Sequence, residues 1–262
     1  MTLPSPWNIL VVMPAYNQEK TLPIVLEKIS KLKLSGATIY GIVVIDDAST
    51  DNTRGVLEIF KKKNKNMNIH YVRQRVNVGP SQSILDGFRE AEKIIHARSN
   101  FIIVRMDSDG DHDPDDIAKL IRPVVNEEAR ATVGDTSCGL SNGIIDAISN
   151  RVLGIMQGNA LSTERFRQIS PGFLAFDAEY LRDVINFREK YSEEYKKRFG
   201  SRDRYGVDLS TLTFFHDSLK IVKLYRTPLQ SGRRPLSKIY AQGKEVLKHF
   251  KLIKHLKNKR FS

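Results

Sequence analysis

Along the first half of the chain, continuous apolar runs alternate with amphipathic stretches. Asn8 to Met13 is an apolar run stopped by Pro14, the pattern of a strand buried on both faces. From Glu19 to Leu34 the apolar residues fall at Leu22, Val25, Leu26, Ile29 and Leu32, which is helical spacing, and Gly36 closes that helix. Ile39 to Ile45 predicts a second strand, ended by Asp46 and Asp47. Ser49, Thr50 and Asp51 offer N-caps for a helix through Val56, Leu57 and Phe60. Asn68 to Val72 predicts a third strand, Ser81 to Ile95 a helix, Asn100 to Met106 a fourth strand and Asp115 to Val125 a helix. Strands that are continuously apolar, each followed by a helix, predict an α/β fold: a mostly parallel central sheet with helices on both faces. Ligands of such sheets bind outside the carboxyl ends of the strands. Three of those ends carry Pro-Ala-Tyr-Asn, Asp-Asp-Ala-Ser and Asp-Ser-Asp-Gly-Asp.

The second half is less regular. Thr132 to Asn142 reads as a strand followed by a loop, and Gly143 to Leu153 as a helix. Ser170-Pro171-Gly172-Phe173 reads as a turn into a short strand, Leu174 to Phe176. Ala178 to Asn186 is helical in pattern. Arg188 to Arg204, crowded with charge, reads as a mobile segment. Val207 to Ser218 predicts a helix and Lys220 to Thr227 a strand. Lys244 to Lys257 has Val246, Phe250, Ile253 and Leu256 at helical spacing among lysines, a basic amphipathic helix.

The 262 residues, 40% hydrophobic and 27% charged, exclude a largely disordered chain or a collagen-like repeat. A single Cys, Cys138, excludes an internal disulfide and argues against a thiolate zinc site, and a reducing cytoplasm is the natural compartment. No apolar run approaches the roughly 20 residues of a spanning helix, and the N-terminus lacks the pattern of a signal peptide. The net charge is +12, but Arg233 to Ser262 holds ten Lys/Arg against one acid and so carries +9 of it. The charge excess belongs to the tail. No recognition motif or aromatic platform for nucleic acid accompanies it.

The strongest chemical signal follows the fourth strand. Asp107, Asp109, Asp111 and Asp113 alternate with Ser108, Gly110 and His112. Carboxylates packed this closely repel one another unless a cation or backbone donors balance them. Hard oxygen donors without Cys select Mg²⁺ or Mn²⁺. A calcium-binding EF-hand loop fails, because Ala118 stands where the bidentate Glu belongs and His112 where Gly is required. Asp113 before Pro114 fits a helix N-cap with Pro at N1.

Val12-Met13-Pro14-Ala15-Tyr16-Asn17-Gln18-Glu19, Val44-Ile45-Asp46-Asp47-Ala48-Ser49-Thr50-Asp51, Asn77-Val78-Gly79 with Gly87 beyond, and Asp107-Ser108-Asp109 with His112-Asp113-Pro114 resemble, in this order, the family 2 glycosyltransferases. Within them the chain is similar to the dolichol-phosphate mannosyltransferase and bacterial polyprenyl-phosphate branch. The resemblance covers residues 8–125. It implies a GT-A fold, a GDP- or UDP-linked sugar donor, a divalent metal and inversion at the anomeric carbon. By position, Pro14, Tyr16 and Gln18 would line base and ribose, Asp47 would meet the base, and Ser108 lies within the donor site. Asp107 and Asp109 would grip metal and diphosphate, with Asp111 placed for a third ligand. Ser231 to Lys238 loosely resembles a family segment whose Arg233, Arg234 and Lys238 would close over the diphosphate. Leu174 stands where the family pattern has Arg, and Gly134-Asp135 where relatives carry Gly-Ser-Arg, so two acceptor cations are missing. The implied organisation is a catalytic domain over 1–232, with a nucleotide-sugar and metal half at 8–125 and an acceptor half at 126–232, followed by the basic tail at 233–262.

Transfer to a hydroxyl needs a general base, whereas a phosphate acceptor is already an anion. Asp208, at a helix start, is the candidate base; His216 and Asp217 are weaker ones. The acceptor reads as a polyprenyl phosphate lipid or a glycan hydroxyl. The tail suits an anionic membrane surface, placing the protein peripherally on the inner face of the cytoplasmic membrane, or packs on the body with its lysines in water. Two other functions fit less well. A sugar-nucleotide pyrophosphorylase would want a Gly-rich loop after the first strand, and a silent nucleotide-sugar-binding module would not need Asp107 and Asp109.

Overall fold

The computed structural model describes residues 6–96, 100–135, 172–200, 206–215 and 218–224, with residues 248, 251, 252 and 255 of the C-terminal helix. Strand β1 (Trp7–Ala15), helix α1 (Leu22–Lys31), β2 (Ala37–Asp46), α2 (Thr53–Lys63), β3 (Asn68–Arg73), α3 (Pro80–Ile95), β4 (Phe101–Arg105) and α4 (Ile117–Val125) follow the expected order. Then come β5 (Ala131–Asp135), β6 (Leu174–Asp177), α5 (Leu181–Phe199), α6 (Gly206–Phe214) and β7 (Leu219–Lys223). They build a seven-stranded sheet in the order β3-β2-β1-β4-β6-β5-β7. β6 alone runs against its neighbours β4 and β5, and every other pairing is parallel.

The apolar runs are continuous because both faces of the sheet are covered. Along β1, Ile9, Val11 and Met13 join the core under α1, α2 and α4, while Leu10 and Val12 join the core under α3, α5 and α6. α3 lies close against the sheet: a Cβ on Gly87 would come within 2.5 Å of Val12 Cγ1. The glycine is there because the backbone approaches too near for any side chain.

Asp51, one of the three candidate caps of α2, accepts from the Thr53 amide at 3.0 Å. Ser49 serves elsewhere, as described below. Asp113 caps the 3₁₀ turn Pro114–Asp116 that opens α4, accepting from the Asp115 amide at 3.1 Å.

Through Phe199 the charge-crowded segment from Arg188 is helical where the sequence suggested an irregular stretch: α5 continues there without a break, and residues 201–204 lie outside the described residues. Arg188, Tyr191 and Tyr195 stand at i, i+3 and i+7 and are buried at 3%, 1% and 0% exposure. Arg188 Nη2 donates to Ser81 Oγ at 3.0 Å and the guanidinium lies 5.8 Å from the Tyr191 ring centroid. The charges that suggested mobility, including Glu193, Lys196, Lys197 and Arg198, sit on the opposite, exposed face. Leu252 of the C-terminal helix is fully buried against Tyr191 and Tyr195, while Lys251 is exposed. Val246, Phe250, Ile253 and Leu256 lie outside the described residues, as do the helix expected at 143–153 and the pair His216 and Asp217. No helix among the described residues is long and apolar enough to cross a membrane.

Candidate functional site

The carboxyl ends of β1, β2, β3 and β4 meet at one edge of the sheet, and backbone bonds lace them together. The Asp47 amide donates to the Ala15 carbonyl at 2.8 Å, the Gln74 amide to the Asp46 carbonyl at 2.8 Å and the Met106 amide to the Val12 carbonyl at 3.1 Å. The turn after β1 is fastened to the start of α2. The Asn17 amide donates to Ser49 Oγ at 3.0 Å, the Gln18 amide to Thr53 Oγ1 at 2.8 Å and the Glu19 amide to Asp51 Oδ2 at 3.1 Å. Asn17 Oδ1 in return accepts from the Thr50 amide at 2.8 Å. Asn17 and Ala48 hold φ of 56° and 60°, a costly left-handed conformation that this lattice of bonds enforces.

The two aspartates ending β2 do different work. Asp46 is fully buried and accepts from the Ser49 amide at 2.7 Å and from the Tyr71 hydroxyl at 2.5 Å, with Arg73 Nη1 at 3.4 Å. Burial and the bond to Asp46 push the Tyr71 hydroxyl up to about 12. Asp47, 3% exposed, accepts from the Val78 amide at 2.7 Å and the Gly79 amide at 2.9 Å. The structure thus places the Asp47 carboxylate on the loop that opens α3, where it holds the Asn77-Val78-Gly79 segment.

Beyond β4 the odd-numbered aspartates 107, 109, 111 and 113 are half-buried while Ser108, Gly110, His112 and Pro114 point inward. Ser108 Oγ donates to the Pro14 carbonyl at 2.6 Å. The Asp111 amide donates to Asp109 Oδ1 at 2.9 Å. His112, 2% exposed, stacks on Phe173 at 5.0 Å between centroids, and its Nδ1 accepts from the Asp107 amide at 2.9 Å. An acceptor nitrogen carries no proton, so the ring braces the turn in a neutral tautomer.

Arg105, the last residue of β4, is 3% exposed. Its Nη1 lies 2.7 Å from Asp107 Oδ1 and also donates to the Gly172 carbonyl. Its Nε lies 3.1 Å from Asp208 Oδ1 and its Nη2 3.3 Å from Asp208 Oδ2. Burial alone would push the guanidinium's pKa down. Asp107 and Asp208 outweigh that and hold it above the ordinary arginine value. Asp208 itself is 5% exposed.

The family model described as "Glycosyl transferase family 2" matches residues 10–174. The chain belongs to that family. An uncharacterised protein of Methanocaldococcus jannaschii is 30% identical over 192 residues, 71% of this chain and 79% of its own length. The UDP-N-acetylglucosamine–dolichyl-phosphate N-acetylglucosaminyltransferase of Methanococcus voltae is 31% identical over 136 residues, 48% of this chain and 51% of its own. The undecaprenyl-phosphate 4-deoxy-4-formamido-L-arabinose transferase of Yersinia enterocolitica is 26% identical over 149 residues, 57% of this chain and 42% of its own. The chain therefore spans about half the length of these two named transferases. Among solved structures, glucosyl-3-phosphoglycerate synthase of Mycobacterium tuberculosis, in complex with Mn²⁺, UDP and glucosyl-3-phosphoglycerate, superposes with a TM-score of 0.60 at 20% identity. The match covers 92% of this chain and 77% of that one. The fold is GT-A.

In this family 2 glycosyltransferase the sequence-named residues Pro14, Tyr16, Gln18, Asp47, Ser108, Asp107, Asp109 and Asp111 all lie along one edge of the sheet, at or just beyond the ends of β1, β2 and β4. Tyr16 is 45% exposed there, whereas Ser108 is turned inward onto Pro14. Arg233, Arg234 and Lys238 lie outside the described residues. Among the described residues no three or more His, Cys, Asp or Glu side chains form a preassembled metal cage. A pair of half-buried carboxylates fits Mg²⁺ or Mn²⁺, which typically take one or two carboxylates and complete their octahedron with water and phosphate oxygens. Sequence reasoning missed Arg105. Its signal was a lone cation inside the run Phe101-Ile102-Ile103-Val104-Arg105-Met106, since a charge buried in a central strand must be paired.

Proposed function

We propose that the protein transfers a sugar, with inversion at the anomeric carbon, from a nucleoside-diphosphate sugar to a lipid-phosphate acceptor. The observation that carries this reading is the position of Asp107 and Asp109. They follow a central strand at the carboxyl edge of the sheet, with the Asp-Ser-Asp turn bonded to the Pro14 turn of β1. Tyr16 offers an exposed ring for a nucleobase, UDP- or GDP-linked, and Pro14 and Gln18 flank it. Asp47 would meet the base while its carboxylate also holds the Val78-Gly79 loop, and Ser108 would belong to the donor site through its bond to Pro14. Asp107 and Asp109 would hold Mg²⁺ or Mn²⁺, with Asp111 beside them. Bound there, the cation stabilises the negative charge left on the diphosphate when the sugar–phosphate bond breaks. Arg233, Arg234 and Lys238 are assigned to the diphosphate by resemblance alone.

The acceptor oxygen forms the new bond to the anomeric carbon on the face opposite the departing diphosphate. A phosphate acceptor arrives as an anion and surrenders no proton. The close pairing of Asp208 with Arg105 supports such an acceptor, because a carboxylate held by a guanidinium is a weak base. Were the acceptor a glycan hydroxyl, Asp208 would be the base. The names of the Methanococcus and Yersinia relatives, which act on dolichyl and undecaprenyl phosphates, favour the lipid phosphate. A lipid-phosphate acceptor would favour a peripheral position on the inner face of the cytoplasmic membrane. Leu252 is packed on α5 and Lys251 is exposed, so Lys251 would be free to meet anionic headgroups.

The test is a panel of UDP- and GDP-sugars with Mn²⁺ and either undecaprenyl or dolichyl phosphate. Glycolipid formed from one donor, dependent on Mn²⁺ or Mg²⁺, is the expected result. Donor binding without any turnover would favour the silent binding module, and release of nucleoside triphosphate on adding pyrophosphate would favour the pyrophosphorylase. Failure to bind any donor would remove the enzyme reading.

A further inference from the structure

Arg105 is the one buried guanidinium that touches both halves of the GT-A domain at the Asp-Ser-Asp turn, among the described residues. It reaches Asp107 on its own loop, the Gly172 carbonyl just before β6, and Asp208 on α6. Those contacts lie 2, 67 and 103 residues away in the chain. The turn before β6 packs so tightly over the ion pair that a Cβ on Gly172 would collide with the guanidinium and approach Asp107 Oδ2 to 2.8 Å. In the antiparallel β4–β6 ladder, Arg105 stands directly opposite Leu174. A cation is thus present on β4 at the level where β6 carries Leu.

We propose that Arg105 is a positioning residue for the metal-binding carboxylate Asp107, with Asp208 acting through Arg105 as its counter-charge. The proposal rests on the metal reading given above. A guanidinium is flat and carries five donors in a fixed fork, so it can hold carboxylates on two sides at a set separation. The group formed by Arg105, Asp107 and Asp208 carries one positive and two negative charges. A group of net negative charge attracts a dication. The clamp on Asp107 limits the rotamers that carboxylate can adopt. Partners that orient a metal ligand in this way typically contribute about 10–100-fold to metal affinity.

Two effects of Arg105 on a nearby cation have opposite signs. Its charge repels the metal, and its geometry presets the ligand. Replacement by a neutral residue would mix them. Arg105→Lys keeps the charge and removes the fork, because an ammonium is a single point of charge on a flexible stem. It therefore isolates the geometric part.

The experiment titrates Mn²⁺ calorimetrically into the full chain with UDP present, alongside thermal melting of each variant. Arg105→Lys is expected to weaken Mn²⁺ by roughly tenfold or more, with a melting temperature close to that of the parent. Unchanged or tighter Mn²⁺ binding by a folded Arg105→Lys protein overturns the proposal. Should that variant not fold, the near-isosteric Asp208→Asn decides. Loss of the counter-charge leaves the guanidinium bearing wholly on Asp107, so Mn²⁺ should weaken several-fold, a change that a base acting on the acceptor alone would not produce. Equal Mn²⁺ affinity in Asp208→Asn and the parent overturns the proposal. Absence of Mn²⁺ binding in the parent defeats the metal reading itself and this inference with it. Binding in the parent that the deciding variant matches in affinity defeats the inference and leaves the metal reading standing.

Discussion

Ser108 and Pro14, 94 residues apart, are joined by a 2.6 Å hydrogen bond from the serine hydroxyl to the proline carbonyl. The bond ties the Asp-Ser-Asp turn to the Pro-Ala-Tyr-Asn turn, so it joins the diphosphate end of the proposed donor site directly to the base end. Ser108 is 2% exposed, which leaves its hydroxyl little room to serve a ligand directly.

Ser108→Ala should therefore loosen the site more than the fold. Removing a net hydrogen bond costs about 1 kcal/mol. Urea unfolding should register that small loss, and the KM for donor should rise several-fold while kcat changes less.

Asp109→Asn should abolish Mn²⁺-dependent binding of UDP, because a neutral amide replaces one of two carboxylates in a site that depends on charge. Calorimetry with UDP, with and without Mn²⁺, checks it. Retained metal-dependent affinity would mean that Asp109 is not a ligand.

Tyr71 makes the fold alkali-sensitive. Its hydroxyl, held by burial and by Asp46, titrates at about 12 against an ordinary 10.0. The raised value means that the folded chain binds this proton more tightly than the unfolded chain does. The stabilisation is complete below pH 10 and is lost as pH rises through 12. Tyr71→Phe has no proton to lose, so its melting temperature should fall less than the parent's between pH 10 and pH 12.

Gly87→Ala should destabilise the protein by about 1–3 kcal/mol, the usual cost of overpacking. The added methyl meets Val12 Cγ1 at 2.5 Å and Ile45 Cγ1 at 3.3 Å, both fixed in central strands. Chemical denaturation measures the loss. An unchanged midpoint would show that α3 can lift from the sheet freely.

Much of this molecule was legible along the chain. β1 to β4 and the helices between them fall where apolar runs and helical spacing predicted, because those signals are local and each strand is covered on both faces. Asp113 as a cap is local too, since its partner is the amide two residues on. The acidic cluster was legible as chemistry, because four carboxylates in seven residues demand a balancing charge wherever the chain folds. Tertiary structure decided the rest. Arg188 looked like one more charge in a polar stretch, yet Ser81 from α3 and the Tyr191 ring bury it and extend α5. Asp47 was expected to meet a base, and only the fold shows that its carboxylate also accepts from the Val78 and Gly79 amides. Arg105 was read as part of a strand, and its role depends on Gly172 and Asp208. A buried charge is tolerable only with partners, and when those partners come from 67 and 103 residues away, no local pattern announces them.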